Sequence, residues 1–131
     1  MSQEENNKTL IRRYVDFLNQ NNLPSEEFIS PEFIYHDPGL PDIKDLAGVR
    51  QFITACIEAF PDQVSTIEDI VAEGDKIVCR YSWRGTHKRD FMGIPATGKP
   101  ATLTTISIYR IVNGKVAEEW NSASPLNSSA H

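Results

Sequence analysis

Cysteine is nearly absent from this sequence. Of 131 residues only Cys56 and Cys79 carry a thiol, far apart and each inside an apolar pattern. That spacing builds neither a disulfide framework nor a metal site, so both read as buried free thiols. Long apolar runs are missing too: nothing approaches the roughly eighteen residues of a membrane span. The opening MSQEENNKTLIRRY has acidic and amide side chains where a signal peptide carries positive charge before an apolar stretch. These absences point to a cytoplasmic protein with no membrane partner. Positive charge is in deficit, with 13 Lys and Arg against 18 Asp and Glu and a net charge of -5. No basic stripe forms, so nucleic acid is not an expected partner. The glycines make neither a phosphate-cradling loop nor a dinucleotide fingerprint, the serines sit in no nucleophile elbow, and no His, Cys, Asp or Glu pair has metal-ligand spacing.

What is present suits one globular unit spanning 1–131, since two cores would both be undersized at this length. From Glu4 to Gln20, Leu10, Ile11, Tyr14, Val15 and Leu18 recur at helical spacing. Pro24-Ser25-Glu26-Glu27 suits the first turn of a short second helix anchored by Phe28 and Ile29. Glu32 to His36 reads as a strand, broken by Asp37-Pro38-Gly39. Asp45 can cap a third helix whose stripe includes Val49, Phe52, Ile53, Cys56 and Phe60, and which Pro61 ends.

Beyond Pro61 strands take over: Val64 to Glu73, Lys76 to His87, Ala101 to Val112 and Lys115 to Ala123, with turns at Gly74-Asp75 and Asn113-Gly114. The segment from Lys88 to Pro100, with two glycines and two prolines, reads as a loop crossing the mouth of whatever the sheet encloses. Helices first and strands afterwards predict an α+β layer arrangement with a curved antiparallel sheet, and residues 127–131 read as frayed.

Alternation places Ile77, Cys79, Tyr81, Trp83 and His87 on one face of their strand, unless a bulge at Gly85 moves His87 across. In the last strand Val116, Glu118, Trp120, Ser122 and Ser124 share a face, opposite Ala117, Glu119 and Asn121. A face that mixes Glu118 with Trp120 has the character of a small-molecule cavity: apolar walls with a few placed polar groups. The alternative is that Glu118 pairs with Arg110 or Arg80 while Trp120 is core. His36 and His87 are proton carriers by type. His36 and the adjacent Asp37 point to opposite faces and form no dyad unless the strand has already turned there.

A series of fragments then falls in order along the chain. His36-Asp37-Pro38, Ala59-Phe60-Pro61-Asp62, Ala72-Glu73-Gly74-Asp75-Lys76, and Arg80 before Gly85-Thr86-His87 come first. Phe91-Met92-Gly93-Ile94-Pro95-Ala96-Thr97-Gly98, Tyr109-Arg110-Ile111-Val112-Asn113-Gly114-Lys115 and Glu118-Glu119-Trp120 follow. Together they resemble the SnoaL-like polyketide cyclase, or ester cyclase, branch of the nuclear transport factor 2-like fold.

The resemblance implies a cone, a cystatin-like α+β barrel: a strongly bent antiparallel sheet closed by three N-terminal helices and dimerised through its outer face. It implies an apolar small-molecule ligand of polyketide or carbonyl type, ring closure by an intramolecular aldol step, and no cofactor and no metal. Carried over position by position, the catalytic candidates are His36 and His87, with Arg80 and Glu118 orienting groups or stabilising charge. Trp83, Phe91, Met92 and Trp120 would shape the ligand wall. Cyclases of this kind carry a proton-transferring aspartate four residues after the tryptophan; here that position is Ser124, a hydroxyl that needs a base beside it to do such work. Two readings follow, a cofactor-independent cyclase or isomerase working through histidine, and a non-catalytic binder of an apolar small molecule.

Overall fold

Ser2 opens the first helix by accepting a hydrogen bond from Glu5 N at 3.1 Å, and Glu4 and Glu5 add negative charge where the helix dipole favours it. In the computed structural model, which describes residues 2–128, this helix α1 runs Gln3–Leu18 and buries Ile11, Tyr14 and Val15. Its C-terminal end is pinned to the sheet by Asn19, whose side chain donates to Ser65 O and accepts from Ser65 N, both at 2.9 Å. The remaining elements are β1 (Ile29–His36), α2 (Leu46–Ala59), β2 (Val64–Glu73), β3 (Lys76–Thr86), β4 (Pro100–Val112), β5 (Lys115–Ala123) and the two-residue β6 (Asn127–Ser128).

Two helices form, where the sequence predicts three. Pro24 to Glu27 makes only a single turn, in which Phe28 N and Ile29 N both donate to Ser25 O at 3.0 Å. The physical reason is competition. A helix nucleus is costly until further bonds extend it, and here Val116 N captures Phe28 O at 2.8 Å and draws the chain into β1 instead. The helix α2 forms as expected, with Asp45 accepting from Gly48 N at 2.8 Å and Pro61 following its end.

The sheet order is β1-β5-β4-β3-β2, with β6 pairing β4. From β2 to β5 the strands are antiparallel neighbours, but β1 runs parallel to β5, so the sheet is mixed rather than wholly antiparallel. β1 reaches the rest of the chain through α2 and not through a hairpin, so nothing forces it antiparallel. Hairpins turn where Gly-Asp and Asn-Gly predict: Gly74, Asn113 and Gly114 all have positive φ. The end residues expected to fray divide: Asn127 and Ser128 pair with β4, and 129–131 lie outside the described residues.

Both helices cover the sheet face that carries Ile77, Cys79, Tyr81, Tyr109 and Ile111, and these residues form the main core with Ile11, Val15 and Phe33. The register of β3 against β4 is continuous from Lys76 to Thr86, so no bulge occurs at Gly85 and His87 keeps the inward parity. In β5 the register does slip. Arg110 pairs with Glu118 but Ile111 pairs with Val116, so Ala117 is an extra residue and Val116 and Glu119 both point inward. That bulge decides which side chains reach the interior.

Candidate active site

Between the helices and the sheet lies a cavity of about 280 Å³. Val15 and Leu18 of α1 and Phe52, Ile53 and Cys56 of α2 give it apolar walls, with Phe60, Trp83, Phe91 and Leu103 across from them. This explains why most of the apolar stripe of α2 is only half-buried: it faces a hollow instead of packed side chains. The loop between β3 and β4 adds Phe91, held by reciprocal backbone hydrogen bonds with Ile94 at 2.9 Å, while Met92 and Ile94 stand exposed. A second cavity of about 130 Å³ adjoins, sharing Leu18, Tyr35, Phe52, Ile53, Tyr109 and Glu119.

The polar side chains of the wall come from the inward positions of the strands. Asp37, just past β1, is buried and collects three donors: Tyr35 OH and Asn121 Nδ2 on Oδ2, both at 3.0 Å, and Gly39 N on Oδ1 at 2.9 Å. Asn121 in turn accepts from Ser107 Oγ at 2.6 Å. Next to this chain, the hydroxyls of Tyr81 and Tyr109 are 2.6 Å apart. One of their two protons makes that bond, and the Cys79 thiol, a weak acceptor, is the other polar neighbour of the Tyr81 hydroxyl. Burial holds both phenols well above their ordinary range, so each remains a protonated donor at neutral pH.

Glu119 differs from all of these. It lines both cavities and has no hydrogen-bond or ion-pair partner among the described residues. Protein surrounds it, and the accessible surface it keeps is cavity wall. Loss of water, and then the neighbouring Asp37 charge, push its carboxyl up to about 8. A carboxyl that exchanges its proton near neutrality inside an apolar hollow has the proton affinity that acid–base chemistry at neutral pH requires. Burial likewise raises the Cys56 thiol to about 12, which leaves it an inert part of the wall.

Of the residues singled out from sequence, Trp83 and Phe91 line this cavity. The others do not. His36 lies on the opposite sheet face, its Nε2 2.6 Å from Glu118 Oε2 and its ring stacked on Trp120 with centroids 5.3 Å apart. Arg110 donates its Nε to Glu118 Oε1 at 3.1 Å, so the ion-pair alternative for Glu118 is the one the structure shows. His36, and after it Arg110, hold the Glu118 carboxyl below its ordinary range. Arg80 is exposed and bonded to Asp69 Oδ2 at 2.6 Å. Met92 is 66% exposed, and Ser124 Oγ accepts from Thr104 N at 3.0 Å on the outer side. His87 is buried and stacks on Phe60 with centroids 5.1 Å apart; Phe60 reaches the cavity and His87 does not.

Strict alternation through β5 put Glu118, Trp120 and Ser124 on the same face as the buried Val116. The bulge at Ala117 turns them outward and brings Glu119 and Asn121 in. The polar wall residues Asp37, Tyr35, Tyr81, Tyr109 and Glu119 are not among the site candidates that the sequence offers. The signal for the β5 pair lay in the facing strand: Ser107 and Tyr109 occupy the polar inward positions of β4, and their partners across the hairpin are Asn121 and Glu119. Among the described residues no three His, Cys, Asp or Glu side chains gather in a way that could hold a metal, and no helix is long and apolar enough to cross a membrane.

A helix-covered mixed sheet enclosing an apolar hollow with a few inward polar groups is an α+β architecture that matches the nuclear transport factor 2-like cyclases. Residues 8–126 match the model of the SnoaL-like polyketide cyclase family, and the chain belongs to that family. Among solved structures it is similar to AclR, a proposed hydroxylase from Streptomyces galilaeus, at 26% identity and a TM-score of 0.85, covering 93% of this chain and 91% of that one. It is similar to IdmH, a proposed polyketide cyclase from Streptomyces antibioticus, at 29% identity and TM-score 0.79, covering 90% and 91%. TsrD from Streptomyces laurentii matches at 26% identity and TM-score 0.79, over 95% and 92%. No curated protein matches the chain.

Proposed function

We propose that this chain catalyses proton transfer on an apolar ring carbonyl compound, of cyclase or isomerase type, with Glu119 as the proton carrier. The observation that carries this is the unpartnered Glu119 carboxyl, raised to about 8, in the wall of the cavity. At pH 7 roughly a tenth of it is ionised, which balances availability of the base against its strength.

The ionised carboxylate takes a proton from the carbon next to a carbonyl. The enolate oxygen so formed accepts the hydrogen of the Tyr81–Tyr109 pair that their mutual bond does not use. When the enolate carbon attacks a second carbonyl, a carbon–carbon bond closes the ring and the new alkoxide takes the proton back from Glu119. The carboxylate is restored and no cofactor is consumed. Reprotonation at carbon instead gives isomerisation. Asp37, fixed in place by three donors, stands beside Glu119 and adds to burial in raising the affinity of Glu119 for its proton.

The test is exchange of the α-protons of 2-tetralone in D2O, followed by NMR. The chain is expected to accelerate exchange, and Glu119→Gln to lower the enzyme rate at least tenfold while His36→Gln leaves it unchanged. An unchanged rate in Glu119→Gln defeats the reading and leaves the non-catalytic binder in its place. We likewise propose that two copies pair through the outer sheet face, where Ile34, Val71, Ile106 and Val112 are exposed. Sedimentation should then show a dimer that Ile106→Glu converts to monomer; a monomeric parent chain would refute the pairing.

A further inference from the structure

The charges around the cavity say more about its ligand than the proton-transfer reading requires. Two carboxyl groups, Asp37 and Glu119, stand in the wall, and among the described residues no Lys, Arg or His lines it. Arg50, whose charge is felt at Tyr14 beside Glu119, turns its Nε to the Pro24 carbonyl at 2.7 Å and lines neither cavity. An anionic ligand would therefore meet negative charge at low dielectric with no cation to answer it. The oxygens of Asp37 are occupied by Tyr35, Asn121 and Gly39, but those of Glu119 are not. Tyr35, Phe52, Tyr81, Trp83 and Phe91 supply aromatic rings to the same wall. Rings of this kind attract a cation through their quadrupoles. The net charge of -5 acts in the same direction at long range.

We propose that the cavity selects for a positively charged nitrogen: its ligand is an apolar ring compound bearing a basic amine, whose ammonium group docks against Glu119 between the aromatic walls. This rests on the placement of Glu119 used above and adds the substrate class. Docking transfers no atoms within the ligand. The ammonium displaces the proton of Glu119 to solvent and pairs with the carboxylate left behind.

Three probes on one two-ring skeleton isolate the charge: 2-naphthylmethylamine, 2-naphthalenemethanol and 2-naphthoate, titrated calorimetrically at pH 7 in two buffers of different ionisation enthalpy. The amine is expected to bind at least tenfold more tightly than the alcohol, with release of close to one proton, and the carboxylate at least tenfold more weakly than the alcohol. Glu119→Gln should abolish the proton release, and Asp37→Asn should narrow the preference for the amine. Equal or tighter binding of the alcohol or the carboxylate overturns the proposal, as does absence of binding by all three at 1 mM. Those outcomes leave the proton-transfer reading standing, because that reading is tested separately by whether Glu119→Gln exchanges the tetralone protons as fast as the parent chain.

Discussion

Replacing Glu119 by Gln should stabilise this protein, and by an amount that grows with pH. The carboxyl titrates at an ordinary 4.5 when water surrounds it and at about 8 in the fold. Because the folded value lies above the unfolded one, the folded chain holds this proton longer. Its contribution is fully present below about pH 4.5 and is lost as pH rises through 8. Relative to low pH, Glu119 therefore costs the fold roughly 3 kcal/mol at pH 7 and roughly 5 kcal/mol above pH 9, as an upper estimate. Gln fills the same space and has no charge to bury, so it escapes that cost. Urea denaturation of both proteins at pH 4, 7 and 9 measures the gap directly, and groups common to both, such as the depressed carboxyls of Asp62 and Glu118, cancel. The gap should be near zero at pH 4 and open steadily upward. A gap that is flat with pH, or that closes as pH rises, would refute the burial argument.

Gly85→Ala should destabilise by about 1–3 kcal/mol in a thermal or urea melt, because the added Cβ would sit 2.9 Å from the Phe60 Cβ and force apart the small buried cluster of Ala59, Phe60 and Ala101. Stability unchanged within error would mean that Phe60 can yield. Tyr109→Phe removes one hydroxyl of the 2.6 Å pair and leaves Tyr81 without that partner, so tetralone exchange should slow roughly tenfold. A full rate in that variant would take the tyrosine pair out of the chemistry. Catalysed exchange in the parent chain should rise with pH and level off above about pH 8 as Glu119 loses its proton, and that rise should vanish in Glu119→Gln.

The long strands and both full helices were readable because each is patterned over its whole length: the α2 stripe from Leu46 to Phe60, and the alternation from Ile77 to Trp83 that continuous pairing with β4 preserves. The bend of the chain at Asp37-Pro38 and the hairpins at Gly74 and Gly114 followed from turn chemistry. The inward side of β5 was not readable, because one extra residue at Ala117 reverses a period-2 pattern and nothing in the composition of Ala-Glu-Glu-Trp announces it. A pair of adjacent glutamates then decided the site: Glu118 finds His36 and Arg110 on the outer face, whereas Glu119 is committed to the cavity. The single turn at Ser25 was misread for a related reason, since helix-start chemistry also suits a turn that a strand interrupts. Asp37 was legible only in part. Its opposition to His36 follows from strand geometry, but which of the two faces inward depends on packing.

The central claim is that Glu119 exchanges its proton near neutral pH. Titration of its side-chain carboxyl carbon by 13C NMR from pH 3 to 10, assigned by comparison with Glu119→Gln, measures this without any substrate. A midpoint near 8 is the predicted result. A midpoint near 4.5, the ordinary value for a glutamate in water, would contradict the account.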